Sequence, residues 1–336
     1  MGESRVLEIR PASTRGTLMT ALLPTLGAAG VACTEARLAG ILGHAFTFSM
    51  GRGGGEVWQL ANIEWCFFFR DLDLLPFRFV SFDAVLRGGR PAPTEEELRA
   101  MKEQTWSRVV AGIDRGIPSI AWGAMTLEQR ESGIPGFEWN LLVGYDARNR
   151  TYAVRHLPHE PSWEVPFDGF GYCDPVQWYH VMTPGEGQAV DSAGVRTRAL
   201  SQAVEYAEGK RFDPQSGCNP VDAIGFSAYE LWKEVLIRGD ADPRNALGHA
   251  SYLGWARKQA ASFLRELSLD EAAEHYDTEV EAVRRLEEVC RGASERKGWN
   301  NSESPFLSIR CIWKMKSPAR PVFEGAPPWT TSIRGV

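Results

Sequence analysis

With 336 residues, 43% of them apolar and 24% charged, the chain has the make-up of a folded globular protein, which excludes a fibrous or largely disordered one. Its 37 basic residues against 43 acidic ones leave a formal charge of -6, and no Lys/Arg block tracks a phosphate backbone, so nucleic acid is not an expected partner. The length exceeds that at which one core usually keeps growing, so two packed units are expected.

Residues 1–10 run straight into charge, without the apolar stretch of a secretion signal, and residues 5–9 read as a short strand. From Thr17 the apolar residues Met19, Leu22, Leu23 and Leu26 recur at helical spacing as far as Gly27 and Gly30, with Pro24 as a kink. The longest low-charge stretch, residues 21–33, is too short to span a bilayer, so no membrane segment is expected and the expected location is the cytoplasm. Thr34 caps a second short helix ending near Gly43, and residues 45–50 read as a strand. Glycines at 51, 53, 54 and 55 mark a loop before an aromatic-rich helix over 57–70. That loop lacks the lysine of a phosphate loop, and Glu56 falls where a dinucleotide fingerprint needs glycine, so no cofactor is expected.

Residues 75–82 alternate as a strand, and Thr94 with Glu97 opens a helix that closes at Gly116. Strands follow over 118–122, 138–145, 151–157 and 176–182, separated by Gly, Pro, Asn and Asp turns, which makes an antiparallel sheet behind leading helices. Residues 191–209 are helical, and the Pro- and Gly-containing stretch 212–220 marks a boundary. Beyond it, residues 221–238, 243–267 and 270–291 each keep an apolar stripe, for which three antiparallel helices are the simplest packing. Residues 306–314 read as a returning strand and the Pro-rich end as a surface tail. The expected fold class is α+β, with a first domain over 1–212, a helical domain over 213–300 and a strand with its tail over 301–336.

Six scattered cysteines without a CxxC pair fit reduced thiols, and Cys66 and Cys218 read as buried structural ones. The twelve tryptophans suit both a core and a pocket for an organic ligand, because each indole N–H needs an acceptor. His156, His159, Cys173 and His180 carry metal-capable side chains at a spacing that matches no zinc motif; they read as exposed loop residues, and no metal is expected. No GxSxG elbow or HExxH pair is present.

Two blocks carry a family likeness: TLMTALLPTLGAAGVACTEARLAGILGHAFTFSM at 17–50, and DRGIPSIAW at 114–122 followed by EWNLLVGYDARNRTYAVRHL at 138–157. They resemble papain-like proteins of the butirosin-biosynthesis protein H type, which are related to the double-glycine leader peptidases. A vaguer likeness covers AIGFSAYELWKEVL and NALGHASYLGWARKQAASFLREL, similar to helical extensions of such domains. The resemblance implies a papain-like fold with a C-terminal helical segment. It also implies a cysteine at the start of the first helix, a histidine on a facing strand that runs into the VGYD turn, and an orienting Asn or Asp.

In this chain Thr17 stands at the cysteine position, Glu138 at the histidine position, and His156 near the orienting one. A thiolate is stabilised by a helix N-terminus and a neighbouring imidazole, whereas a threonine hydroxyl needs a stronger base than an ordinary carboxylate. Thr17 also reads as a cap or first-turn residue. Glu138, read inside an apolar strand, needs a ligand, a donor or an internal ion pair.

The expected function is therefore binding of a small organic or peptidic ligand, in specialised metabolism, in the cleft between the Thr17 helix and the Glu138 strand. His44, Trp122, Trp139 and Asn140 would line that cleft with Thr17 and Glu138. The alternatives are an acyl or aminoacyl transferase or amide hydrolase with an unidentified nucleophile, and a scaffold whose helices self-associate into a homodimer.

Overall fold

The computed structural model describes residues 4–50, 72–86, 92–133, 138–156, 162–172, 177–210, 223–238 and 241–295. The helix expected over 57–70, the boundary at 212–220, the strand at 306–314 and the tail lie outside these residues, as do Cys66, His159, Cys173 and Cys218.

In chain order the strands are β1 (Ser4–Val6), β2 (Ser49–Met50), β3 (Phe77–Val85), β4 (Ser119–Trp122), β5 (Trp139–Asp146), β6 (Thr151–Arg155), β7 (Trp163–Pro166), β8 (Trp178–Gly187) and β9 (Ala223–Ile224). The helices are α1 (Thr17–Ala28), α2 (Glu35–Ile41), α3 (Glu95–Asp114), α4 (Leu127–Glu131), α5 (Ser192–Ala207), α6 (Phe226–Arg238), α7 (Pro243–Glu266) and α8 (Asp270–Glu295). The protein is α+β. One antiparallel sheet runs in the order β3-β8-β4-β5-β6-β7, with β1 paired to the far end of β5, and β2 and β9 form a separate pair. No described helix is long and apolar enough to cross a membrane.

Side-chain alternation gives the sheet two buried faces. Ile120, Trp122, Trp139, Leu141 and Met182 share a core with α1, α2 and α7. Ala121, Leu142, Tyr152, Val154 and Val181 share another with α3.

Local chemistry accounts for the helix ends. α3 opens on a capping box between Thr94 and Glu97 with three acidic residues in its first turn, which suit the positive end of the helix dipole. α2 is capped by Thr34, whose hydroxyl accepts from Arg37 N at 2.9 Å. α1 begins after Gly16, which takes φ +80 and offers no side-chain cap, so Thr17 is the first helical residue. Pro24 has no N–H to give to the carbonyl of Thr20 one turn earlier; Ala12 N donates to that oxygen instead, at 2.9 Å.

Several expected elements are corrected. Only Ser49–Met50 of the strand expected over 45–50 pairs, because Phe46 N and Thr47 N both turn back to the carbonyl of Gly43. The VGYD segment stays within β5, and the turn follows it: Asp146 Oδ1 accepts from Arg148 N and Asn149 N, and Arg150 takes φ +51. At Gly144 a Cβ would lie 2.5 Å from the carbonyl of Arg5, so the glycine is what lets β1 cross there. β7 and α4 had no distinct signal in the sequence.

The C-terminal helices pack on the first two. A Cβ on Gly40 would fall 2.2 Å from Cγ of Phe263, a spacing between α2 and α7 that only glycine permits. Arg257, buried on α7, donates to the carbonyl of Ala45 at 2.8 Å, pairs with Glu279 at 3.0 Å and donates to Tyr229. Trp255 donates to Glu35 Oε1 at 2.7 Å.

Lys102 lies on the buried face of α3, 3% exposed, and burial lowers its pKa from 10.5 to about 8, against a smaller opposing effect of the Asp168 charge. The folded value lies below the unfolded one, so between the two the unfolded chain binds more protons and stability rises with pH. The penalty is complete below the folded pKa and gone above the unfolded one, a difference of up to about 3 kcal/mol. Chemical denaturation of the native chain and of Lys102→Met should show the gap widening in favour of the native chain across pH 8 to 10.5. Parallel stability curves would contradict this.

Candidate functional site

The start of α1 meets the start of β5. Trp139 N donates to Thr17 Oγ1 at 3.4 Å, so the first residue of α1 sits against the first residue of β5. His156, directly after β6, reaches the same residue, with Nδ1 3.3 Å from the carbonyl of Trp139. The carbonyl of Glu138 accepts from Gly123 N at 2.8 Å and from Asn140 Nδ2 at 2.7 Å. Thr17, Glu138, Trp139, Asn140 and His156 are thereby gathered at one end of the central strands.

The expectation for the Glu138 carboxylate is corrected. Glu138 precedes β5 rather than lying within it, and it is exposed. Solvent satisfies its charge, and no ion pair involves it among the described residues. Nor are His156 and His180 exposed: His156, directly after β6, is 7% exposed, and His180, within β8, is 3% exposed.

Trp122 and Trp139 face each other across β4 and β5, with ring centroids 5.5 Å apart, and are 5% and 2% exposed. Both are packed indoles that form the floor of the site. Trp178 completes the cluster at 5.6 Å from Trp122 and 5.9 Å from Trp139, and it is half-buried. Asn140, next along β5, turns to the other face of the sheet, with Leu142. His44 sits elsewhere, its Nδ1 3.4 Å from the Tyr252 hydroxyl of α7.

Asp83 and Trp178 escaped the sequence reading, and His180 was assigned only as a loop residue. Asp83 of β3 stands directly opposite His180 of β8. Its carboxylate lies 3.5 Å from His180 Nδ1 and accepts from the indole N–H of Trp178. His180 is in turn edge-on to Trp178 at 4.9 Å and to Trp139 at 5.3 Å. The pairing depends on strand register, which one sequence does not state; the alternation of residues 178, 180 and 182 was the available signal.

Chemically, the arrangement positions a hydroxyl without activating it. Among the described residues no hydrogen bond joins Thr17 to a histidine or a carboxylate, and its oxygen is engaged by a backbone N–H. Groups of three or more His, Cys, Asp or Glu able to hold a metal do not occur among the described residues.

The fold and site thus define an α+β protein in which a helix start abuts the central strands of an antiparallel sheet over a tryptophan cluster. No known family model matches the chain, and no curated protein matches its sequence.

Proposed function

We propose that the chain is a papain-like protein without the Cys/His pair, and that it binds a small organic or peptidic ligand where the start of α1 meets β5. The observation that carries this reading is the contact of Thr17 Oγ1 with Trp139 N, which brings the position of the missing nucleophile against the strand of the missing base. Thr17 and the exposed Glu138 supply polar contacts, and the half-buried Trp178 supplies an aromatic surface above the packed Trp122 and Trp139. A hydroxyl, a carboxylate and indole faces together suit a ligand with hydrogen-bond donors and an apolar body.

Native mass spectrometry of the purified chain identifies the molecule that co-purifies. Because Glu138 is exposed, Glu138→Gln should leave the melting temperature within about 1 °C while weakening that molecule's binding roughly tenfold, the worth of one charged hydrogen bond. Unchanged binding in Glu138→Gln and in Thr17→Ala together would refute the site. A fluorophosphonate probe should leave Thr17 unlabelled; stoichiometric labelling there would replace binding by acyl transfer.

A further inference from the structure

α3 carries a second group with chemistry of its own, on the opposite side of the sheet. Lys102 Nζ donates to the carbonyl of Asp168 at 2.7 Å and to that of Phe170 at 3.4 Å. It lies 4.7 Å from the ring centroid of Tyr172 and 5.3 Å from that of Tyr179. No carboxylate pairs with it among the described residues: the exposed Asp168 gives its carbonyl to the hydrogen bond, not its side chain.

A buried lysine is ordinarily paired with an acid. Here two backbone carbonyls and two ring faces stand in place of the acid. The two carbonyls satisfy both N–H bonds of a neutral amine, and the phenol ring faces receive the third N–H of the ammonium, so the site holds either protonation state. Tyr179 is fully buried on one side, whereas Tyr172 is 39% exposed on the other and forms the outer wall.

We propose that Lys102 is a nucleophilic amine that condenses with small, flat aldehydes or ketones reaching it past Tyr172. The neutral Nζ attacks the carbonyl carbon, and the oxygen takes up a proton. The resulting carbinolamine expels water as the nitrogen lone pair forms the C=N bond. Amine and aldehyde thus give imine and water, with no oxidant or reductant required. The buried Tyr179 ring beside Nζ favours an aromatic carbonyl compound by stacking. Burial supports the same reading, since it brings the amine to about 8 and populates its neutral form near neutral pH.

The test uses the whole native chain with benzaldehyde and cyanoborohydride near neutral pH, followed by peptide mass spectrometry to locate the N-benzyl group. Lys210, an exposed lysine paired with Glu208, is the internal reference. The lower pKa makes the neutral fraction of Lys102 some hundredfold larger, so after allowance for restricted access it should be alkylated roughly tenfold faster than Lys210. Tyr172→Ala should raise the Lys102 rate further and leave the Lys210 rate unchanged. Alkylation of Lys102 no faster than Lys210 would overturn the proposal, since that is the behaviour of a lysine that only staples the 168–170 turn. An unaltered Lys102 rate in Tyr172→Ala would overturn it equally, by removing the entry route.

Discussion

A chain cut after Lys210 does not fold. The three C-terminal helices are not an accessory to the sheet, because Ala260, Ala261, Phe263 and Leu264 of α7 belong to the same core as Leu18, Met19, Leu22 and Leu26 of α1 and Leu38 of α2. Truncating Phe263 alone to Ala should cost about 3 to 5 kcal/mol, and several such residues leave together with the whole of α7. The total exceeds the roughly 5 to 15 kcal/mol that stabilises an ordinary domain. Far- and near-UV circular dichroism of the truncated chain should show no cooperative thermal transition. A cooperative melt with a native near-UV spectrum would show that residues up to 210 hold their core unaided.

The second large effect is at Arg257. Its guanidinium joins Glu279 of α8, Tyr229 of α6 and the carbonyl of Ala45, and it lies 5.8 Å from the ring centroids of Tyr229 and Tyr276. Three helices and the turn after α2 are thereby tied at one buried point. Arg257→Met keeps much of the side-chain volume but leaves Glu279 largely buried without its cation, a loss of about 3 to 5 kcal/mol. Urea denaturation measures it. Adding Glu279→Leu should recover a large part of that loss, because removing both charges is far cheaper than removing one. A double variant as unstable as Arg257→Met would show that the hydrogen bond to Ala45, not the ion pair, carries the effect.

Much of the architecture was legible because its signals are local. Thr34 caps α2, Thr94 with Glu97 opens α3, and apolar spacing located α1, α6, α7 and α8; Asp191 and Asp242, which cap α5 and α7, are caps the sequence analysis did not name. The Gly, Pro, Asn and Asp turns between them located β4, β5 and β6, although their ends moved by a residue or two. What stayed hidden depends on the third dimension. Residues 45–50 are apolar enough for a strand, yet the Gly43 carbonyl captures two of their amides. The close approach of Gly40 to Phe263 links residues more than two hundred positions apart.

The site divides along the same line. That the Thr17 helix faces the strand at 138 was implied by the family resemblance alone; the contact between Trp139 N and Thr17 Oγ1 is a feature of the folded chain. Glu138 was misjudged because its neighbours Phe137 and Trp139 suggested a buried strand, whereas β5 starts one residue later. His180 and Asp83 form a pair through strand register, and Lys102 is buried where the 168–170 turn and the rings of Tyr172 and Tyr179 meet α3.

A crystallographic fragment screen of the native chain tests the central claim even while the ligand is unidentified. Aromatic amides and dipeptide-sized fragments should gather at the α1–β5 junction, with polar atoms in hydrogen-bond reach of Thr17 Oγ1 or the Glu138 carboxylate. Fragments that collect elsewhere while that junction stays vacant would show that Thr17 is a helix-start residue and nothing more.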